Sequence, residues 1–192
     1  MTEKRLIALF KKHHRVVPRP RIRKDMLLRI KHREMKICLV KGEIFVFIRT
    51  AIVQLFYYWP KSQKEKSSFV SVLVEKVKTS DGEEQLCSQL DGIGKKILVG
   101  EDPRDTAARC IHRKLQMRNI CIRRPRPIKT EQRMSIDNRF GGLPAVEERF
   151  FFSLRMPRRC FNPEGYTCER VSRKGVLKKS HFVWLPADTL IE

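Results

Sequence analysis

The stretch GEDPRDTAARCIHRKLQM, residues 100–117, carries the residue types most able to do chemistry in this 192-residue chain. Asp102 is suited to cap a helix, Pro103 to fill its first position and Asp105 to complete a capping box, so the spacing predicts a helix to about Gln116 or Met117. Residues three and four apart on such a helix share a face, and carboxylates placed that way could hold a hard divalent cation. After Arg109 this helix carries Cys110, Arg113 and Lys114 rather than carboxylates. A thiol and two cations cannot replace magnesium-binding carboxylates. Like charges about 4 Å apart repel by about 4 kcal/mol at an effective dielectric near 20, so the face opposes metal as well as lacking ligands.

Other candidate chemistry is weaker. Cys110 and His112 stand two apart on the helix, which directs them to different sides and argues against a Cys-His nucleophile. His13 and His14 lie among cations and are expected to be solvated, while His181 is expected to be a hydrogen-bonding strand residue. The six Cys (38, 87, 110, 121, 160, 168) include no C-x-x-C pair and read as reduced structural thiols. Phe150, Phe151, Phe152, Phe182 and Trp184 fall in β-rich runs, with alternate ones expected inward rather than stacked on nucleic-acid bases.

The helix must be positioned by the segments around it. Ala107, Ala108, Ile111 and Leu115 supply an apolar stripe at helical spacing. Ahead of it, FVSVLVEKV is a β-rich run, TSDGEE a turn, QLCSQL a second possible strand and DGIGKKILVGEDP a glycine-punctuated loop. Behind it, ICIRRPRPI reads as a short strand entering a basic loop, residues 129–147 as a long polar surface loop, RFFFSLRM as a strand and HFVWLP as a closing strand.

The opening residues 1–36 contain many Lys and Arg against Glu3, Asp25 and Glu34, with PRPRIRK in the middle. They are expected to form a basic arm ordered mainly by its partner, with a possible helix over 25–36. Leu6, Ile7, Leu9 and Phe10 can share a helix face, a pattern that suits a mitochondrial transit peptide or an RNA-binding arm. KICLVKGEIFVFIRTAIVQLFYYW, residues 36–59, is the most apolar stretch. Lys41, Glu43 and Arg49 interrupt it short of the ~18–20 residues of a membrane span, so a buried strand or helix is favoured over an anchor. PKSQKEKSS, residues 60–68, reads as a linker.

Composition supplies the partner class. There are 42 Lys plus Arg against 21 Asp plus Glu, a net charge of +21. Such an excess points to a polyanion, and nucleic acid fits best, since Arg neutralises phosphates and stacks on unpaired RNA bases.

The order of strand, glycine loop, GEDP, helix with A-A-R, late FFF strand and final HFVWLPADTL resembles a Nudix domain over about residues 69–192. The resemblance implies an α/β/α sandwich with a mixed sheet. It also implies a signature in which Glu101 and Arg109 keep their spacing, Ile111 takes the hydrophobic position and Gly94 stands one place from the first glycine. Cys110, Arg113 and Lys114 occupy the three acidic positions. GEDPRDTAARCI, ERFFFSLRM and KKSHFVWLPADTL further resemble the Nudix-like proteins of the mitochondrial large ribosomal subunit.

The resulting expectation is an α/β fold divided at 1–66, a basic arm with an apolar segment at 37–59 and a linker, and 67–192, a catalytically degenerate Nudix-like domain. The expected function is that of a structural, ribosomal-RNA-contacting component of the mitochondrial large subunit, not an enzyme and without cofactor or metal, beside neighbouring ribosomal proteins. Two alternatives stay open: a stand-alone RNA-binding or regulatory protein, cytoplasmic or nuclear, and a divergent pyrophosphohydrolase drawing ligands from Glu147, Glu148 or Glu164. Gly100, Glu101 and Arg109 are assigned as a structural remnant, with a Glu101–Arg109 ion pair bracing loop to helix. Arg19, Arg21, Arg23, Lys24, Arg104, Arg113, Lys114, Arg123, Arg124, Arg126, Arg158 and Arg159 are assigned to nucleic acid. Membrane contact through 37–59 is not favoured, and free nucleotide is expected to bind weakly.

Overall fold

The structure is a computed structural model that describes residues 1–58, 68–78, 84–89, 92–115, 126–137, 140–171 and 177–186. It is α/β: helices α1 (Glu3–Lys12), α2 (Pro20–Lys31) and α3 (Pro103–Leu115) accompany strands β1 (Lys36–Val40), β2 (Glu43–Tyr58), β3 (Ser68–Lys78), β4 (Glu84–Gln89), β5 (Ile93–Lys96), β6 (Arg126–Asp137), β7 (Leu143–Arg155), β8 (Tyr166–Val171) and β9 (Leu177–Pro186). The chain forms two compact units, one of Met1–Ala51, Lys96–Thr106 and Lys129–Phe150, the other of Ile52–Lys95, Ala107–Ile128 and Phe151–Glu192.

In the first unit, Thr2 caps α1 by accepting a hydrogen bond from Arg5 N, Glu3 stands in the first turn and Lys11 and Lys12 in the last, each matching the helix dipole. Pro20 opens α2 where a missing N–H costs nothing. Leu6 and Phe10, one turn apart on α1, are fully buried with Met26 of α2 against Ile44 and Val46 of β2 and against Phe140 and Leu143. Each such side chain contributes roughly 1.5–3 kcal/mol of burial. Residues 1–36 therefore depart from the expected partner-ordered arm: they are two helices that close a core, because the apolar stripe on α1 has a β-sheet to cover.

The apolar segment is β rather than helical. β1 and β2 pair antiparallel with Val40 opposite Glu43, and the intervening Lys41 and Gly42 have φ of 49° and 82°, as a two-residue hairpin turn of right-handed twist requires. No helix among the described residues is long and apolar enough to cross a membrane. β6, β7 and β2 follow one another in sheet order. The expected surface loop at 129–147 is thus overturned: it is most of β6, a turn and the start of β7. In the turn Gly141 has φ of 67°, and an added Cβ there would collide with the side chain of Pro18, so the α1–α2 connection presses on this glycine.

The second unit carries the order β2-β3-β9-β8, with β4 also on β3. Its registers are antiparallel throughout β2–β3, β3–β4, β3–β9 and β8–β9, Val72 standing opposite Val183 and Cys168 opposite Ser180. β3, β4 and β9 fall on runs expected to be strands, whereas β8 lies in a stretch expected to be irregular. Phe151 and Phe152 are both buried, so the strict in-out alternation expected for the aromatic run fails. Consecutive strand residues point to opposite faces, and both faces are covered here. Tyr57 stacks on Phe161 at 3.6 Å between ring centroids, and Trp184 Nε1 donates to the Asn162 carbonyl at 2.8 Å. The proposed linker at 60–68 lies almost wholly outside the described residues.

Candidate functional site: a basic helix face

The loop into α3 is braced from within the first unit. Glu101 N donates to the Leu98 carbonyl at 2.9 Å, and the Glu101 carboxylate accepts from Leu98 N at 3.0 Å, closing a reciprocal turn around Gly100, whose φ is 84°. Arg49 donates to the Glu101 carbonyl at 3.4 Å, and Val99 N to the Arg33 carbonyl at 2.7 Å. Asp102 then starts the helix: its carboxylate accepts from Arg104 N at 2.7 Å and its carbonyl from Thr106 N at 3.2 Å. Gly100 and Glu101 are thereby engaged in shaping backbone.

Along the part of α3 in the second unit, Ala107, Cys110, Ile111 and Leu115 are buried, His112 and Arg113 are exposed, and Ala108, Arg109 and Lys114 are half-buried. The buried set is the predicted stripe with Ala108 on its margin and Cys110 added. Cys110 Sγ lies 3.6 Å from the Ile93 carbonyl oxygen of β5, so this position faces the sheet, and His112 points the other way as a spacing of two predicts. Cys168 Sγ donates to the Lys114 carbonyl, tying β8 to the last turn of the helix.

The other residues form a cationic face. Lys95, two residues beyond Ile93 on β5, is half-buried, and its ammonium is held below its usual value, first by burial and then by the neighbouring charges of Arg113, Arg109 and Lys114. This collects Arg109, Arg113 and Lys114 with a fourth cation that sequence reasoning missed. The one signal for it was GKKIL immediately before the loop, where a strand of period two would direct Ile93 and Lys95 to the same side. A face of four cations suits an anion and opposes a divalent metal.

Glu147 and Glu148 are engaged in ion pairs. In the first unit Glu147 accepts from Thr50 Oγ1 at 2.7 Å and Lys96 Nζ at 2.9 Å and pairs with Arg149 at 3.0 Å; Glu148 pairs with Arg49 at 3.0 Å. Burial pushes the Glu147 carboxyl up, but the hydrogen bonds from Lys96 and Thr50, the Lys96 charge and Arg149 outweigh it and hold the group at about 2. Glu164 is exposed in the turn before β8. Among the described residues no group of three or more His, Cys, Asp and Glu stands together as a metal site.

The remaining nucleic-acid candidates separate into several groups. Arg19, Arg21, Lys24 and Arg104 are exposed on the first unit. Arg23 is different: it pairs with Glu3 at 2.9 Å and donates to the Pro18 carbonyl, which makes it a bridge between α1 and α2. On the second unit Arg126 is exposed at the start of β6, and Arg158 and Arg159 are exposed on a short 3-10 turn, Arg158–Cys160. Arg123 and Arg124 lie outside the described residues. His13 Nδ1 donates to the Gly42 carbonyl at 2.9 Å, a tie that solvation alone does not anticipate, and His181 Nδ1 is 3.0 Å from Thr167 Oγ1 across the β8–β9 pair, the strand role expected of it. Cys38, Cys110, Cys160 and Cys168 form no disulfide.

No protein-family model matches the chain, and no curated protein matches it. Among solved structures, it is similar to the C. elegans Ap4A hydrolase, with TM-score 0.38 and 10% identity over 76% of this chain and 84% of that one. A binary complex of a C. elegans Ap4A hydrolase gives TM-score 0.33 and 11% identity over 57% of this chain and 68% of that one. Hydrolysis is a property of those proteins.

Proposed function

We propose that this chain is a structural, RNA-contacting component of the mitochondrial large ribosomal subunit, built on a Nudix-like domain without hydrolytic activity. The observation that carries the reading is the helix α3 face, where Cys110 is buried against β5 and Arg113 joins Lys95, Arg109 and Lys114 as a cluster of cations. In the family that the sequence resembles, carboxylates at these positions bind the metal that activates water. With cations there, the same helix can instead position phosphates, and a net charge of +21 supplies the long-range attraction. Ribosomal RNA and adjacent ribosomal proteins are the partners, and the matrix is the compartment.

The test is sedimentation of the tagged protein from mitochondrial lysate at rising salt. It is expected in large-subunit fractions, with Arg113→Glu and Lys114→Glu releasing it at lower salt than the parent. Absence from those fractions overturns the ribosomal assignment. Metal-dependent pyrophosphatase turnover that is lost on substitution within residues 94–114 overturns the inactive domain.

A further inference from the structure

We propose that β6 is a self-complementary edge through which two copies of this chain pair antiparallel about Gln132. The inference is independent of the RNA reading. β6 stands at the end of the sheet order, and from Arg126 to Ile136 every residue is exposed except the half-buried Glu131. Ile128, Met134 and Ile136 are 48%, 70% and 79% exposed. Strand periodicity puts these three on one face and Lys129, Glu131 and Arg133 on the other. An edge with unpaired backbone groups and a row of exposed apolar side chains is normally shielded by charge, proline or a covering element. Here Pro127 breaks the ladder at one end, and among the described residues no strand pairs with the outer side of the rest.

The side chains themselves select the occupant. Residues opposite one another in an antiparallel pair lie on the same face of the joint sheet, so a register that mixes odd with even positions would set apolar against charged faces. Among registers that keep parity, centring on Glu131 opposes Glu131 to itself and Arg133 to Lys129. Centring on Thr130 pairs Glu131 with Lys129 but sets Ile128 against Gln132 and leaves Ile136 without a counterpart. Centring on Gln132 meets both requirements twice over, by symmetry. Glu131 then faces Arg133 of the second copy, and Ile128 faces Ile136 of the second copy.

Within one chain Glu131 is shared by Lys129 at 2.5 Å and Arg133 at 3.5 Å, so the longer pair is the one that a second copy would improve. A single added strand pair is a small interface, below ~1,200 Å², and the association is therefore concentration-dependent. The net charge of +21 on each copy opposes it at long range, and salt screens that repulsion beyond ~10 Å at 0.1 M. Dimerisation should strengthen with salt, the reverse of RNA binding.

The test is sedimentation velocity of the nucleic-acid-free full chain across a concentration series at low and high salt. A mass moving from one to two copies, further along at high salt, is expected. Ile136→Lys should give a monomer. Glu131→Arg and Arg133→Glu, each placing two like-charged pairs in the joint sheet, should weaken association about tenfold, and the double swap should restore it. All three positions are on a solvated strand, and circular dichroism verifies that each variant is folded. A monomer at every concentration overturns the proposal, as does a dimer indifferent to Ile136→Lys or to the single charge reversals.

Discussion

Cys110 Sγ lies 3.6 Å from the Ile93 carbonyl oxygen, which places this helix position in the interior between α3 and β5. A carboxylate at this point would be buried beside a carbonyl oxygen. Cys110→Glu is therefore expected to destabilise the fold by at least about 3 kcal/mol without gaining magnesium affinity. Arg113→Glu, at an exposed position, should change stability by less than about 0.5 kcal/mol. Urea denaturation and magnesium titration by calorimetry check both; an unchanged midpoint for Cys110→Glu would sink the packing argument.

Glu147 gives a pH-dependent prediction. Its carboxyl is held at about 2, below the usual 4.5, so the stability it contributes is present above the unfolded value and lost as pH falls towards 2. Glu147→Gln should cost about 2 kcal/mol at pH 7, with parent and variant converging near pH 2. Parallel denaturant melts at pH 7, 4 and 2.5 measure the difference, and an offset that persists unchanged into acid contradicts the assignment.

Phe10 and Arg19 separate a core helix from an arm. Phe10→Ala removes a fully buried ring and should cost about 3 to 5 kcal/mol, whereas Arg19→Ala, at an exposed position, should leave stability within about 0.5 kcal/mol. Thermal melts of the two variants without RNA decide the matter: equal, negligible effects would return residues 1–36 to the partner-ordered class.

These predictions also mark what residues alone could reveal. α3 was legible because Asp102 and Pro103 state where it begins, and Ala107, Ile111 and Leu115 state which side it buries. Cys110 was harder, since a thiol is equally at home inside or at a reactive surface. The burial of α1 was hidden by its neighbours: Leu6 and Phe10 share a face, yet the many cations around them gave no sign that a sheet would cover it. β6 was hidden for the opposite reason, as a strand exposed on both faces lacks the hydrophobic rhythm that announces one. Lys95 belongs to the cationic face through space alone, brought to α3 by the return of β5.

The place of α1 in the core bears on how the chain could be sorted. A helix rich in Lys and Arg with Leu6 and Phe10 on one side has the form that import receptors read, but the same two side chains are fully buried against β2 and the turn at Phe140. Cleavage after recognition would remove them and leave Ile44 and Phe140 open to water. Address label and keystone are incompatible fates for one segment: a molecule cut after α1 would not keep this core.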